Sequence, residues 1–310
     1  MIILGRKYKF TDLEHVRLTQ KFQHIDIIRC RAIESDVILH ELQNSLKKSQ
    51  SKLIVLNTTD TIHDDIIKYL TGLQFENGTK AKIITIENFL ETYLHKCYIP
   101  DEHNDLHFLQ DIKPFTMWQI FQKRSIDYFG IFCLILFSWP IMLFSMIKIK
   151  KQSPGPVFFQ QKRMGYMNKE FICYKFRSMR IDAEKNGAQF ASHNDPRVFP
   201  WGETMRKARF DELPQILNIL KGEMHLIGPR PERKYWTDQF ESQIPYYSER
   251  HLIKPGITGW AQVMYPYGEN AEDAKQKLMY DLYYIKHWNI ILEFKVIWKT
   301  YIVVTRRKGI

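Results

Sequence analysis

Residues Ile126 to Ile147 form a run of 22 positions whose only charge, Asp127, stands at its start. A segment of that length can cross a bilayer, and its presence limits what the rest of the chain can be. Two details set it apart from a plain crossing. Pro140, preceded by Ser138 and Trp139, lies near the middle, where proline removes a helix hydrogen bond and kinks the axis. Cations flank both ends, Lys123 and Arg124 before it and Lys148, Lys150 and Lys151 after it, and such flanks prefer the cytoplasmic side. A helix–break–helix over about 126–147, entering one leaflet and returning, satisfies both facts, with the break at Ser138–Pro140. A kinked spanning helix is the alternative; a buried soluble helix fits the length less well.

The net charge of +11 is placed unevenly. Residues 1–113 carry 15 Lys and Arg against 16 Asp and Glu, whereas residues 114–310 carry 30 against 18. The second part is therefore expected to meet something anionic: nucleic acid, phospholipid or a phosphorylated substrate. A nucleic-acid partner is disfavoured, since such a protein has no use for the apolar run beside the basic excess. The stretch Lys148–Arg180 holds nine Lys and Arg and one acid, Glu170, which suits a solvated face or a contact with anionic head groups. Near the end, Tyr283, Tyr284, Trp288, Trp298 and Tyr301 alternate with Lys and Arg, as in helices lying at a membrane interface. The four cysteines are scattered and read as reduced thiols in a cytosol-facing protein, and the opening residues lack the pattern of a cleavable signal.

The fold class expected is α/β. In residues 1–113, apolar runs at Ile2–Leu4, Ile25–Arg29, Leu53–Leu56 and Ile83–Ile86 alternate with helical spacing over Asp12–Phe22, Ser35–Lys48 and Thr61–Leu70. That order predicts a small Rossmann-like module with a parallel sheet. No G-x-G-x-x-G follows the first strand, so a dinucleotide is not expected; regulation, dimerisation or docking suits the module better. Residues 100–114 read as a polar linker, and residues 114–310 as a membrane-associated, mainly helical domain.

The pattern most telling of chemistry is Arg206-Lys-Ala-Arg209-Phe-Asp211-Glu212-Leu-Pro214-Gln, continuing to Gly222. It predicts a short helix with Asp211 near its N-cap and Pro214 in its first turn. A capping Asp is common for purely structural reasons, yet a helix N-terminus also stabilises a carboxylate and attracts phosphate. Arg206 and Arg209 would lower the Asp211 pKa and hold an anion. Adjacent acids suit a nucleophile paired with a metal ligand or proton handler. Lys175-Phe-Arg177-Ser-Met, Gly228-Pro-Arg230-Pro and Lys254-Pro-Gly256-Ile-Thr-Gly259 add cations and tight turns, and none is a Walker loop.

These motifs, with Pro255-Gly-Ile-Thr-Gly-Trp-Ala-Gln262, Tyr280-Asp-Leu-Tyr-Tyr-Ile285 and Gly155-Pro-Val-Phe-Phe159, occur in an order that resembles the bacterial sugar transferases, the monotopic phosphoglycosyl transferases, over about 120–308. The resemblance implies transfer of a sugar-1-phosphate from a UDP-sugar to undecaprenyl phosphate, with UMP released, as the first membrane step of exopolysaccharide or other glycoconjugate assembly. It implies Asp211 as the nucleophile that carries a covalent phosphosugar, and Glu212 as a Mg²⁺ ligand. Lys175, Arg177, Arg206 and Arg230 are then the expected phosphate contacts. The apolar helix becomes the family's re-entrant helix on the cytoplasmic face of the bacterial inner membrane, in contact with its lipid; a homo-oligomer stays open. Ala208-Arg209-Phe210, His225 and Glu293 depart from the family pattern. The Met264–Gly268 segment resembles members associated with glucose or galactose transfer. The competing reading is a non-catalytic membrane-surface regulator or scaffold that binds anionic lipid.

Overall fold

The computed structural model describes residues 1–30, 34–48, 53–58, 62–75, 81–101, 112–183, 195–265, 268 and 270–305. Most of the expected linker, residues 102–111, and residues 266, 267 and 269 of the Met264–Gly268 neighbourhood lie outside them. The chain divides into two compact units, Met1–Tyr98 and Ile99–Ile310.

The first unit follows from its alternation of apolar runs and helical periods. Strands β1 (Ile2–Leu4), β2 (Asp26–Ile28), β3 (Leu53–Leu56) and β4 (Lys82–Thr85) pair in parallel in the order β2-β1-β3-β4. Helices α1 (Asp12–Lys21), α2 (Ser35–Lys48) and α3 (Asp64–Phe75) make the crossovers, and α4 (Ile86–Phe89) follows the last strand. Ile2, Leu4 and Ile54 share a core with Ile38 and Leu42 of α2 and Ile66 and Leu70 of α3. Ile3 and Val55, also buried, point by strand alternation to the opposite face. Thr11 and Glu14 close a capping box at α1. Glu14 then ion-pairs with Lys96 inside the core, and the Tyr8 hydroxyl bridges them. With partners on all sides, this buried pair avoids the large cost of a lone interior charge.

The second unit is organised on helix α5 (Met117–Gln152), opened by a capping box between Thr116 and Gln119. Among the described residues it is the one helix long and apolar enough to cross a membrane. Its 36 residues span roughly 54 Å, against about 30 Å of bilayer hydrocarbon. Pro140 lies inside one continuous helical segment, so a turn-back at Ser138–Pro140 would be a bend within that segment rather than a gap between two helices. One missing N–H is a local loss that such a helix absorbs. Lys123, Asp127, Ile131, Ser138, Ser145 and Ile149 are buried along one face, while Phe129, Phe132, Phe137 and Trp139 are exposed.

Both ends of α5 pack on the same unit. Near the start, Lys123 Nζ donates to Ile227 O (2.9 Å), the Tyr284 hydroxyl (2.7 Å) and Glu293 Oε1 (2.7 Å). Asp127 accepts from the Leu226 amide (2.8 Å) and pairs with His225 Nδ1 (2.6 Å). Near the finish, Ile149 sits in a cluster with Phe176, Phe199 and Met205.

An antiparallel ribbon follows, β5 (Phe158–Met164) against β6 (Glu170–Phe176). Helix α6 (Pro200–Ala208) leads into a 3-10 turn, Phe210–Gln215, and α7 (Ile216–Leu220). Strand β7 (His225–Ile227) pairs in parallel with β8 (Gly256–Thr258), with α8 (Lys234–Glu241) between them in sequence. The described residues end in α9 (Trp260–Met264), α10 (Ala271–Lys286) and α11 (Ile290–Thr305), and Ile291, Phe294, Trp298 and Tyr301 of α11 are exposed.

Candidate active site

Arg209 ends α6 in the left-handed region (φ 60°, ψ 19°), which turns the chain sharply into the 3-10 turn. Asp211 and Glu212 therefore enter in the first turn of a tight segment rather than at the cap of one continuous helix. Both are buried. Glu212 Oε1 receives Lys175 Nζ at 2.9 Å and Arg230 Nη2 at 3.0 Å, with Arg209 Nη1 at 3.8 Å. Arg230 forks, its Nη1 donating to Gln262 Oε1 at 3.2 Å. By contrast, Asp211 Oδ1 is fully buried and has no hydrogen-bond partner.

The two carboxyls are driven apart. Burial pushes Glu212 upward, but Lys175, Arg230 and Arg209 together outweigh it and hold Glu212 well below the usual carboxylate range. Burial, and then the negative charge of Glu212, push Asp211 upward, against the pull of Lys175, Arg209 and Arg206. The arginines act on Asp211 in the expected sense, yet desolvation wins and the expected lowering is reversed. Adjacent acids separated in this way have distinct roles available to them.

A cleft beside the pair is lined by Arg163, Cys173, Lys175, Gln215, Arg230 and Pro231. Ribbon geometry accounts for three of these: Cys173 and Lys175 alternate onto one face of β6, and the register sets Arg163 of β5 on that face. Three cations on one small cleft suit a multiply charged anion. The arginine arrives on a rigid loop. A Cβ on Gly256 would lie 2.0 Å from Gly228 N, so the Gly228-Pro229 and Pro255-Gly256 turns approach backbone to backbone.

The structure brings Lys175, Arg230, Asp211 and Glu212 together, with Arg206 half-buried on α6 and acting on Asp211 through space. Arg177 goes elsewhere. β6 ends at Phe176, and the Arg177 guanidinium donates to Ser153 O (2.6 Å) and Pro154 O (2.7 Å), closing the exit of α5. Arg163 lies outside every motif, since only the β5–β6 register joins it to the site, whereas Gln215 and Gln262 stand inside motifs of the sequence without a role that the sequence alone assigns. The departures also have places: Phe210 packs against the Ile149 cluster, His225 pairs with Asp127, and Glu293 takes the Lys123 ammonium.

Among known proteins, the model of the family described as bacterial sugar transferase matches residues 118–307. The UDP-N-acetylgalactosamine-undecaprenyl-phosphate N-acetylgalactosaminephosphotransferase of Aeromonas hydrophila is 48% identical over 181 residues, 58% of this chain and 43% of that protein. The UDP-glucose:undecaprenyl-phosphate glucose-1-phosphate transferase of Xanthomonas campestris pv. campestris is 43% identical over 173 residues, 55% of this chain and 36% of that protein. The exopolysaccharide production protein PSS of Rhizobium leguminosarum bv. phaseoli is 38% identical over 194 residues, 60% of this chain and 97% of that protein. The chain thus spans less than half the length of the first two relatives.

Proposed function

The chain belongs to the bacterial sugar transferase family, and from that premise we propose that it transfers a sugar-1-phosphate from a UDP-sugar to undecaprenyl phosphate, releasing UMP. The observation that carries the proposal is the buried, unbonded Asp211 Oδ1 next in the chain to Glu212, whose partners Lys175 and Arg230 line a cleft together with Arg163.

In the first displacement, an Asp211 oxygen attacks the phosphorus that bears the sugar, and the bond to the bridging oxygen breaks as UMP leaves. A phosphosugar then stands on Asp211 as a mixed anhydride. In the second, an oxygen of the lipid phosphate attacks the same phosphorus and frees Asp211. Lys175, Arg163 and Arg230 hold the diphosphate and meet its charge, which is most of what phosphoryl transfer asks of a protein. Glu212, clamped by Lys175 and Arg230, keeps those cations oriented. An orphaned carboxylate oxygen ready to attack is what this scheme requires, and a lipid-binding scaffold gives it no role.

Among the described residues, no three His, Cys, Asp or Glu side chains converge on a metal site. Mg²⁺ is commonly held by one or two carboxylates together with substrate phosphates, and the Asp211–Glu212 pair fits that mode. Glu212 would be its protein ligand. When bound, the ion offsets diphosphate charge.

Helix α5 is read as re-entrant, on the cytoplasmic face of the inner membrane. Both of its ends bind the same unit, and cations flank both. The exposed apolar residues of α11 suit a place in the interface.

The test is UMP release by detergent-held protein from a panel of UDP-hexoses and UDP-N-acetylhexosamines, with and without undecaprenyl phosphate and Mg²⁺. Lipid- and Mg²⁺-dependent turnover of one sugar is expected. A folded protein that releases UMP from none of them contradicts the proposal.

A further inference from the structure

The loop that carries Arg230 is held by its backbone. Arg163 Nη1 donates to Pro231 O at 3.2 Å. Next to it, Arg250 Nη2 donates to Arg230 O at 3.0 Å and to Asp281 Oδ2 at 2.9 Å. The Nη1 of Arg250 donates to the Tyr247 hydroxyl at 2.6 Å. Arg250, Tyr247 and Asp281 are each no more than 5% exposed. Asp281 belongs to a sequence motif that the proposed chemistry leaves without a task, and Arg250 belongs to none.

We propose that the buried Arg250–Asp281 pair is a positioning device for Arg230, fixing the peptide from which its guanidinium reaches Glu212 and the cleft; this rests on the transferase reading above. Pro229 and Pro231 fix φ on either side of Arg230, so the orientation of the intervening carbonyl sets where the side chain starts. A planar guanidinium can hold that carbonyl, a carboxylate and a hydroxyl at once; an ammonium, a point charge, cannot keep all three in place. Asp281 opposes the buried cation and aims the fork. Neither residue lines the cleft. Their effect on a substrate would pass through Arg230.

A double-mutant cycle separates positioning of Arg230 from general support of the fold. Arg250→Lys keeps the charge opposite Asp281 and loses the fork. In the otherwise unchanged full-length protein it is expected to lower kcat/KM for the UDP-sugar by about tenfold to a hundredfold. In an Arg230→Gln background the same change is expected to cost less than about twofold, because the residue it positions is gone. Asp281→Asn, measured in parallel, should show the same dependence on Arg230. Thermal melting of every variant identifies any that fails to fold, and Tyr247→Phe, which removes only one acceptor, serves where the others do. Equal losses in both backgrounds mean that the pair supports the fold in general, and overturn the proposal. Absence of UMP release in the parent protein overturns the transferase reading itself, and this proposal with it.

Discussion

Asp211 and Glu212 are neighbours in the chain and opposites in setting, and the difference is made by who can reach them. Glu212 Oε1 lies within hydrogen-bond distance of two cations, whereas Asp211 Oδ1 is buried and bonded to nothing. Because burial and Glu212 raise the Asp211 pKa, the proposed nucleophile protonates at a higher pH than an ordinary Asp. Protonation removes the attacking lone pair, so kcat/KM should fall on the acid side, with its inflection above the usual carboxylate value; a pH–rate profile checks this. An inflection near pH 4, the value of an unperturbed Asp, would deny the environment described. A second residue-level prediction concerns Lys123. Replacing it with Met leaves Glu293 buried without its ammonium, and should cost about 3–5 kcal/mol, read by denaturant or thermal unfolding in detergent. The dyad was legible in sequence because both acids sit in one motif. Arg163 was not, because only the β5–β6 register joins it to the site, and Gln262, though inside a motif, gains its contact only through the Arg230 fork. Arg177 stands apart from Lys175 for a local reason: β6 ends at Phe176, and the Arg177 guanidinium turns to the Ser153 and Pro154 carbonyls.

Apolar patterning marks where elements lie more sharply than where they end. The β1 and β3 runs and the α2 span coincide with their apolar patterns, since short, continuous runs rich in Ile and Val between helical periods suit parallel strands buried on both faces. The third helix starts at Asp64 rather than Thr61 and continues to Phe75. Pro140 showed the limit of local rules: proline disfavours a helix interior, yet a long apolar helix with ample neighbouring hydrogen bonds tolerates one. For the same helix, continuity does not decide topology, but the partners of its ends do bear on it. Lys123 and Asp127 bind β7 and the C-terminal helices, and Ile149 packs on β6 and α6 of the same unit. Single cysteines at Met117 and Lys151, in a background without the native thiols, should therefore both react with a membrane-impermeant reagent applied to the cytoplasmic face. Labelling of the two from opposite faces would establish a spanning helix.

At the scale of the whole chain, a four-stranded parallel sheet with its own core accompanies the unit that holds the dyad. Residues 1–98 made alone should unfold cooperatively, as followed by circular dichroism, because the Ile2–Leu73 cluster is complete within them. A non-cooperative, featureless melt would show that the sheet depends on the rest of the chain. The second unit draws together cations and carboxyls that lie far apart in the sequence, from Arg163 to Gln262, and the proposed transfer rests on this convergence. The claim at the centre is that Asp211 becomes covalently loaded. It is tested most directly by intact-protein mass after mixing with the active UDP-sugar and Mg²⁺ in the absence of undecaprenyl phosphate. The account predicts one added sugar-phosphate, mapped to Asp211, absent in Asp211→Asn and discharged on adding the lipid. Full turnover with no adduct on rapid quenching, or an adduct that persists in Asp211→Asn, would contradict it.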